Sequence, residues 1–467
     1  MKNNAGKITK LLKKFDSVFS QWIEESIKKE KANYKKLEKK MNCAETLCRN
    51  AVALCREDMA GNPYESDGLF IGCIFRLSDI LIRRGNADEA AELLSEVCGK
   101  ADSYGNSPIL TRCMGHYGSI LCESGMYDNA ARILDDMLNR VKGEFDDGGY
   151  PKANIPDGEF ALCRGLGSAA RAFTYAREGD GFAPERFTLP VEILEKIAEK
   201  GADAAGENIK RAAYYAASQQ LFLTCYETVP GADVREVLKY AEKCENFCDK
   251  SSGKDLYFPA ATRLKALACA RDCRFADAAE LCRLTLDQCA GYSGEQTKDV
   301  SGSIQSIAGD MNLLLGILNY RASNISECIR CFGAAIASYE ADAKGVPLSD
   351  AGYAEAETDI LFMTSAEKCA FACKFTGLAK FSDNEKYPLD ECVQVMRRGV
   401  ELLETAGSDE PYFILAASAE YHIISQMCGR AGDSDSEKKF DEMSRSRGFC
   451  ALADLRERLS DSAEYAK

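Results

Sequence analysis

Gly118-Ser119-Ile120-Leu121-Cys122-Glu123-Ser124-Gly125-Met126-Tyr127-Asp128-Asn129-Ala130 reads as the end of one helix, a tight turn and the start of a second helix. Gly125 is the turn residue, because a helix closes most cheaply through a glycine that enters the left-handed region. Gly118 stands seven positions before it and Ala130 five after it, both small. Two antiparallel helices cross closely only where small side chains meet, so this spacing describes a packed helical hairpin.

The same spacing returns elsewhere in the chain. With Gly85, Gly125, Cys273 and Ser323 as turn positions, the residue seven earlier is Ser78, Gly118, Ala266 or Gly316. The residue five later is Ala90, Ala130, Ala278 or Cys328. Nine after the turn come Leu94, Leu134, Cys282 and Phe332, and two after it Ala87, Tyr127, Phe275 and Ile325. Small columns set the crossing; larger ones fill the groove toward the next hairpin.

These columns resemble the tetratricopeptide repeat (TPR), which carries a small residue in its first helix, a turn glycine, and an alanine followed by an aromatic in its second. Arg84-Gly85-Asn86-Ala87-Asp88-Glu89-Ala90 and Phe275-Ala276-Asp277-Ala278 follow that pattern, with residues 118–130 the nearest match. The spacings of 40 between Gly85 and Gly125 and 50 between Cys273 and Ser323 exceed the usual repeat of about 34. Weaker pairs fill the gaps: Leu162–Gly179 with Pro190–Gly201, Asn208–Thr228 with Ala232–Lys250, Tyr353–Thr376 with Pro388–Thr405, and Tyr412–Cys428 with Ser434–Arg447. Apolar residues recur at three and four throughout. The expected fold is all-α: a right-handed TPR-like α-solenoid of about eight antiparallel helix pairs over residues 61–467, preceded by an N-terminal amphipathic helix in residues 1–60.

That first segment is electrostatically separate. Residues 1–40 hold twelve lysines, no arginine and five acids, whereas the whole chain of 467 residues carries a net charge of −14. Ile8, Leu11, Leu12, Phe15, Val18, Phe19, Trp22, Ile23 and Ile27 form its apolar stripe. The expected role of the stripe is to cap the first repeat. Contact of a basic helix with an anionic membrane surface is the sharper alternative, and self-association through this helix a further one.

Composition removes several functions. An acidic chain repels phosphate backbones, so nucleic acid is not the expected partner. The 22 cysteines are spread along a long chain with no secretory signal ahead of them, which indicates reduced thiols and a cytoplasmic setting. The only CxxC, Cys328 with Cys331, lacks a second ligand pair, and Cys113, His116 and Cys122 lie among apolar residues. No metal site or cofactor is expected. Gly165-Leu166-Gly167-Ser168-Ala169-Ala170 imitates a dinucleotide fingerprint but lies inside a helical pattern with no strand before it, which suits helix packing. Asp146, Asp147 and Asp157 read as a solvated loop. No catalytic residue set emerges, and the chain reads as a non-enzyme.

The candidate binding residues come from the turn register. Two positions before the turn stand Arg83, Arg177, Arg271 and Arg321, with Glu123 as the exception. The resemblance implies that first helices line a concave groove. A row of arginines there would pair an acidic protein or peptide segment, or a C-terminal carboxylate, through bidentate bonds. Phe173 and Tyr320 would supply aromatic anchors. The competing reading is that a basic residue at a helix C-terminus complements the helix dipole. The clamp for chaperone tails found in some relatives needs Lys and Asn where this chain has Phe75 and Asp79. The expected function is a protein- or peptide-binding scaffold or adaptor; the alternative is a peptide-sensing regulator whose basic N-terminal helix contacts a membrane surface or target protein.

Overall fold

The computed structural model describes residues 4–27, 34–59, 67–105, 107–146, 158–176, 185–200, 207–225, 233–248, 255, 257–291, 304–342, 365–406 and 411–448. Among these there is no strand. The helices are α1 (Ala5–Ile27), α2 (Tyr34–Met59), α3 (Asp67–Arg83), α4 (Ala87–Cys98), α5 (Pro108–Glu123), α6 (Tyr127–Asp146), α7 (Gly158–Tyr175), α8 (Glu185–Lys200), α9 (Glu207–Cys225) and α10 (Val234–Asn246). They continue as α11 (Tyr257–Arg271), α12 (Phe275–Gly291), α13 (Ile304–Arg321), α14 (Ile325–Asp342), α15 (Ser365–Ser382), α16 (Leu389–Ala406) and α17 (Pro411–Ala431), and α18 spans residues 434–448. Second helices pack on the next first helix, as α4 does on α5, α6 on α7, α12 on α13 and α14 on α15. This is a TPR-like helical repeat.

The turns explain why the register was legible. Backbone φ is positive at Gly85, Gly125, Cys273 and Ser323, the four positions read from the sequence, and also at Gly432. Each turn closes alike. Asn86, Met126, Arg274, Asn324 and Asp433 donate their amides five residues back, to Leu81, Leu121, Cys269, Asn319 and Cys428, at 2.8–2.9 Å. These paired bonds cap carbonyls that the helix end would otherwise leave open. A side chain at such a φ costs about 1–2 kcal/mol relative to glycine. Ser323→Gly, at φ 58°, should therefore raise the stability of the fold by about 1 kcal/mol in a urea titration; an unchanged midpoint would show that the turn carries no strain.

The small column does what its spacing demands. A Cβ on Gly118 would stand 2.5 Å from Leu134, and one on Gly316 2.5 Å from Phe332. In both hairpins the residue seven before the turn meets the residue nine after it. Ser78 and Ala266 are fully buried as well. The dinucleotide-like glycines are packing residues: a Cβ on Gly165 would lie 2.6 Å from the Gly115 Cα, and one on Gly167 would strike the Tyr215 ring.

Two expectations shift. The described part of the first 60 residues forms two helices, α1 and α2, packed together. Ile8, Leu12, Phe15, Phe19 and Trp22 are buried, and Asp16 accepts from Arg76 of α3 at 2.7 and 2.9 Å. Helix α8 starts five residues before the expected Pro190, which lies inside it. Arg186 and Phe187 extend it because both pack on Phe173, the guanidinium 4.7 Å above the ring and Phe187 edge-on at 6.1 Å.

The chain divides into two compact units, residues 1–264 with 292–301 and residues 265–291 with 302–467. The boundary falls inside α11. No helix among the described residues is long and apolar enough to cross a membrane.

Candidate functional site

In the first unit, the first helices α3, α5, α7 and α9 lie in a layer, α3 against α5, α5 against α7, and α7 against α9. Glycines at 115 and 165 let α5 and α7 approach nearly backbone to backbone. That closeness brings polar side chains of successive helices into contact.

Arg83 is central to this layer. Its Nε donates to both carboxylate oxygens of Asp79 at 3.2 Å, and the two side chains are only 3% and 2% exposed. The guanidinium also lies 5.5 Å from the Phe19 ring, 5.8 Å from Trp22 and 4.8 Å from Phe160. Space expected to hold a ligand here is filled by the protein's own aromatics. Arg83 is a core cation.

His116 of α5 sits fully buried beside this pair, its Nε2 3.3 Å from Asp79. Phe75 stacks on it at 5.6 Å and Phe160 meets it edge-on at 5.8 Å. Burial holds the imidazole below its usual value, outweighing the upward pull of Asp79. The unfolded chain therefore binds a proton near pH 6.5 that the folded chain refuses. Stability of the first unit should fall as pH drops below 6.5, and His116→Gln, which cannot titrate, should flatten that slope in melts between pH 7.5 and 5.5. An equal slope in both proteins would remove His116 from the effect.

Glu123, the exception in the arginine column, receives an arginine from the next helix: Arg164 Nη2 bonds its two oxygens at 2.7 and 2.6 Å. Ser119 and Ser168 hydroxyls meet at 3.0 Å one turn further. Arg171 then donates to the Tyr127 hydroxyl at 3.1 Å. Arg164, Ser168, Arg171 and Tyr175 thus form one polar stripe along α7. This stripe follows helix periodicity rather than turn register, so no column of the repeat reveals it.

The remaining candidates separate. Arg177 lies outside the described residues, as do residues 147–157 of the acidic loop. Phe173 is taken up by Arg186 and Phe187, as above. In the second unit, Arg271 is half-buried and Arg321 exposed, with the Arg321 guanidinium 5.1 Å over the Phe275 ring. Tyr320 meets Phe375 of α15 edge-on at 5.7 Å. Arg271 and Arg321 belong to adjacent hairpins of that unit, whereas Arg83 belongs to the first unit.

The cysteines behave as small core residues. Among the described residues Cys43 and Cys273 are exposed and eighteen other cysteines buried. Burial pushes the thiols of the CxxC pair up to about 12 at Cys328 and about 11 at Cys331. Among the described residues no cluster of His, Cys, Asp and Glu has the spacing to hold a metal ion.

The repeated turns, small crossings and layered first helices define a TPR-like helical-repeat protein. No protein-family model matches the sequence, and no curated protein matches it. Solved structures similar to the chain include a Rap protein complexed with competence and sporulation factor, 11% identical over 82% of this chain and 99% of that one, with a TM-score of 0.40. A signal-transduction ATPase with a tetratricopeptide repeat sensor from Pyrococcus horikoshii is 12% identical, covers 90% of this chain and 54% of that one, and has a TM-score of 0.43. An IFIT1 monomeric mutant with Gppp-AAAA is 12% identical over 79% and 68% of the two chains, with a TM-score of 0.36.

Proposed function

We propose that the chain is a non-enzymatic cytoplasmic scaffold that holds a protein or peptide segment against the first helices of its repeats, as an adaptor, chaperone-like factor or sensor subunit. Arg321 carries this reading. Arg321 is an exposed residue whose guanidinium is held over Phe275, so its direction is set before a ligand arrives, and that pre-organisation reduces the entropy lost on binding. Arg271 occupies the same register one hairpin earlier, and half-buried Tyr320 adds aromatic surface beside Arg321. An acidic segment matches this chemistry. The net charge of −14 opposes nucleic acid as the main partner.

The test begins with a partner captured from native lysate on the immobilised chain and identified by mass spectrometry. Titrated against that partner, the Arg271→Glu/Arg321→Glu variant should bind at least about 30-fold more weakly, roughly 2 kcal/mol, at an unchanged melting temperature. Affinity and melting temperature falling together would assign both arginines to helix-end electrostatics instead.

A second reading rests on α1. Lys10, Lys13 and Lys14 are exposed on one helix, and no carboxylate among the described residues pairs with them. In this regulator reading they contact a membrane surface or target protein by charge alone, since Phe15, Phe19 and Trp22 are buried. Reversing the three lysines should abolish binding to phosphatidylserine vesicles without changing the fold. Deleting α1 would instead open the core.

A further inference from the structure

Three arginines of the first-helix layer have an acid close by: Asp16 for Arg76, Asp79 for Arg83 and Glu123 for Arg164. Arg171 differs. Its one hydrogen bond is the 3.1 Å bond to the Tyr127 hydroxyl, and its Nε is buried with no partner among the described residues. Its near neighbours include the weak acids Cys122, Tyr127 and Tyr175, and among the described residues it forms no ion pair with a carboxylate. Burial pushes Tyr127 up to about 12 and Cys122 up to about 11, so both are neutral near pH 7.

The surroundings are aromatic and fixed. The guanidinium carbon lies 5.7 Å from the Tyr127 ring, Tyr175 is tilted against Tyr127 at 5.0 Å, and Phe222 of α9 meets Tyr175 edge-on at 6.1 Å. Arg171 as a residue is half-buried, with its Nε sealed. A guanidinium drawn partly out of water is costly unless an anion joins it. A phenol that accepts from a cation also becomes a stronger donor through its own proton.

We propose that Arg171 and Tyr127 form a carboxylate anchor for an acidic peptide bound along α7. This rests on the peptide-binding reading above but uses residues of the first unit, whereas Arg271 and Arg321 belong to the second. The planar fork of arginine matches a carboxylate in two bonds, and the aromatic rings would cover the aliphatic stem of a glutamate side chain. Ser168 and Arg164, one and two turns back along α7, continue the polar track.

The experiment is fluorescence anisotropy of full-length protein with fluorescein-labelled hexaglutamate at low salt. The unsubstituted chain should bind, Arg171→Gln about tenfold more weakly, and Arg171→Lys, which keeps charge but loses the fork, about three- to tenfold more weakly. Tyr127→Phe deletes one hydroxyl and nothing else, so it stays informative if Arg171→Gln fails to fold; it should weaken binding about threefold. The Arg171→Gln melting temperature should hold or rise, because a partly buried cation is lost. No binding of hexaglutamate by the unsubstituted chain, or equal binding by the variants, overturns the anchor. The scaffold reading survives that result if the captured partner still depends on Arg321. Tight binding of oligouridylate or inorganic phosphate at Arg171 in place of the peptide would likewise overturn it.

Discussion

Arg83→Glu should cost the first unit at least about 3–5 kcal/mol, whereas Arg321→Glu, at the same position relative to its turn, should stay within about 0.5 kcal/mol of the parent. The two residues share one column of the repeat but not one environment. At Arg83 a reversal would place two carboxylates four residues apart, both nearly sealed from water, with a neutral imidazole 3.3 Å from one of them. It would also remove the cation from the Phe19, Trp22 and Phe160 rings, each contact contributing about 0.5–2 kcal/mol when desolvated. Arg321 is an exposed residue and water replaces whatever is lost. Urea titrations of the two variants, with amide exchange followed in α3, α5 and α7, separate these cases. Similar losses in both proteins would mean that the column acts through helix-end electrostatics throughout, and the distinction between core and display arginines would fall.

That contrast marks how far a single sequence carries. The hairpin register was legible because it rests on backbone geometry: a left-handed turn needs glycine or a tolerant substitute, and a close crossing needs small residues at fixed distance from it. Gly118 with Leu134 and Gly316 with Phe332 meet as their spacing requires. Even Cys273 and Ser323, poor left-handed residues, were placed by their flanking columns. The fifth such turn, at Gly432, was bracketed by the pair Tyr412–Cys428 and Ser434–Arg447 but did not join the four aligned ones because its column breaks: the residue five later is Glu437, whose carboxylate lies where a Cβ on Gly429 would go.

The site was less legible because it depends on which helices face each other. The recurring arginines at the turn were visible, but the burial of Arg83 required knowing that α1 lays Phe19 and Trp22 beside it and that α7 adds Phe160. Arg171 and Tyr127 are 44 residues apart and belong to no shared column. Their meeting follows from the α5–α7 approach through Gly115 and Gly165; Gly165 opens the stretch that looked like a nucleotide motif and serves contact between helices.

In the second unit, Lys368→Met should lower stability by about 3–5 kcal/mol. Asp310 is fully buried within the apolar run of α13, and the Lys368 ammonium of α15 reaches it at 2.8 Å. Tyr339 of α14 donates to the same carboxylate at 2.9 Å, its ring admitted by Gly309, where a Cβ would stand 2.5 Å from it. Removing the lysine charge leaves a sealed carboxylate without the ammonium beside it, and the carboxyl must either take up a proton or draw in water. Asp310→Asn/Lys368→Met removes both charges and keeps an oxygen to accept from Tyr339. It should recover more than half of the loss in a urea titration, because the pair's attraction only about offsets its desolvation. A double variant as unstable as the single would show that the ion pair is a net source of stability. Recovery would give the pair another role: one lysine, one tyrosine and one aspartate tie α13, α14 and α15 in a single register, and that register sets where Arg321 at the end of α13 stands relative to Phe375 on α15.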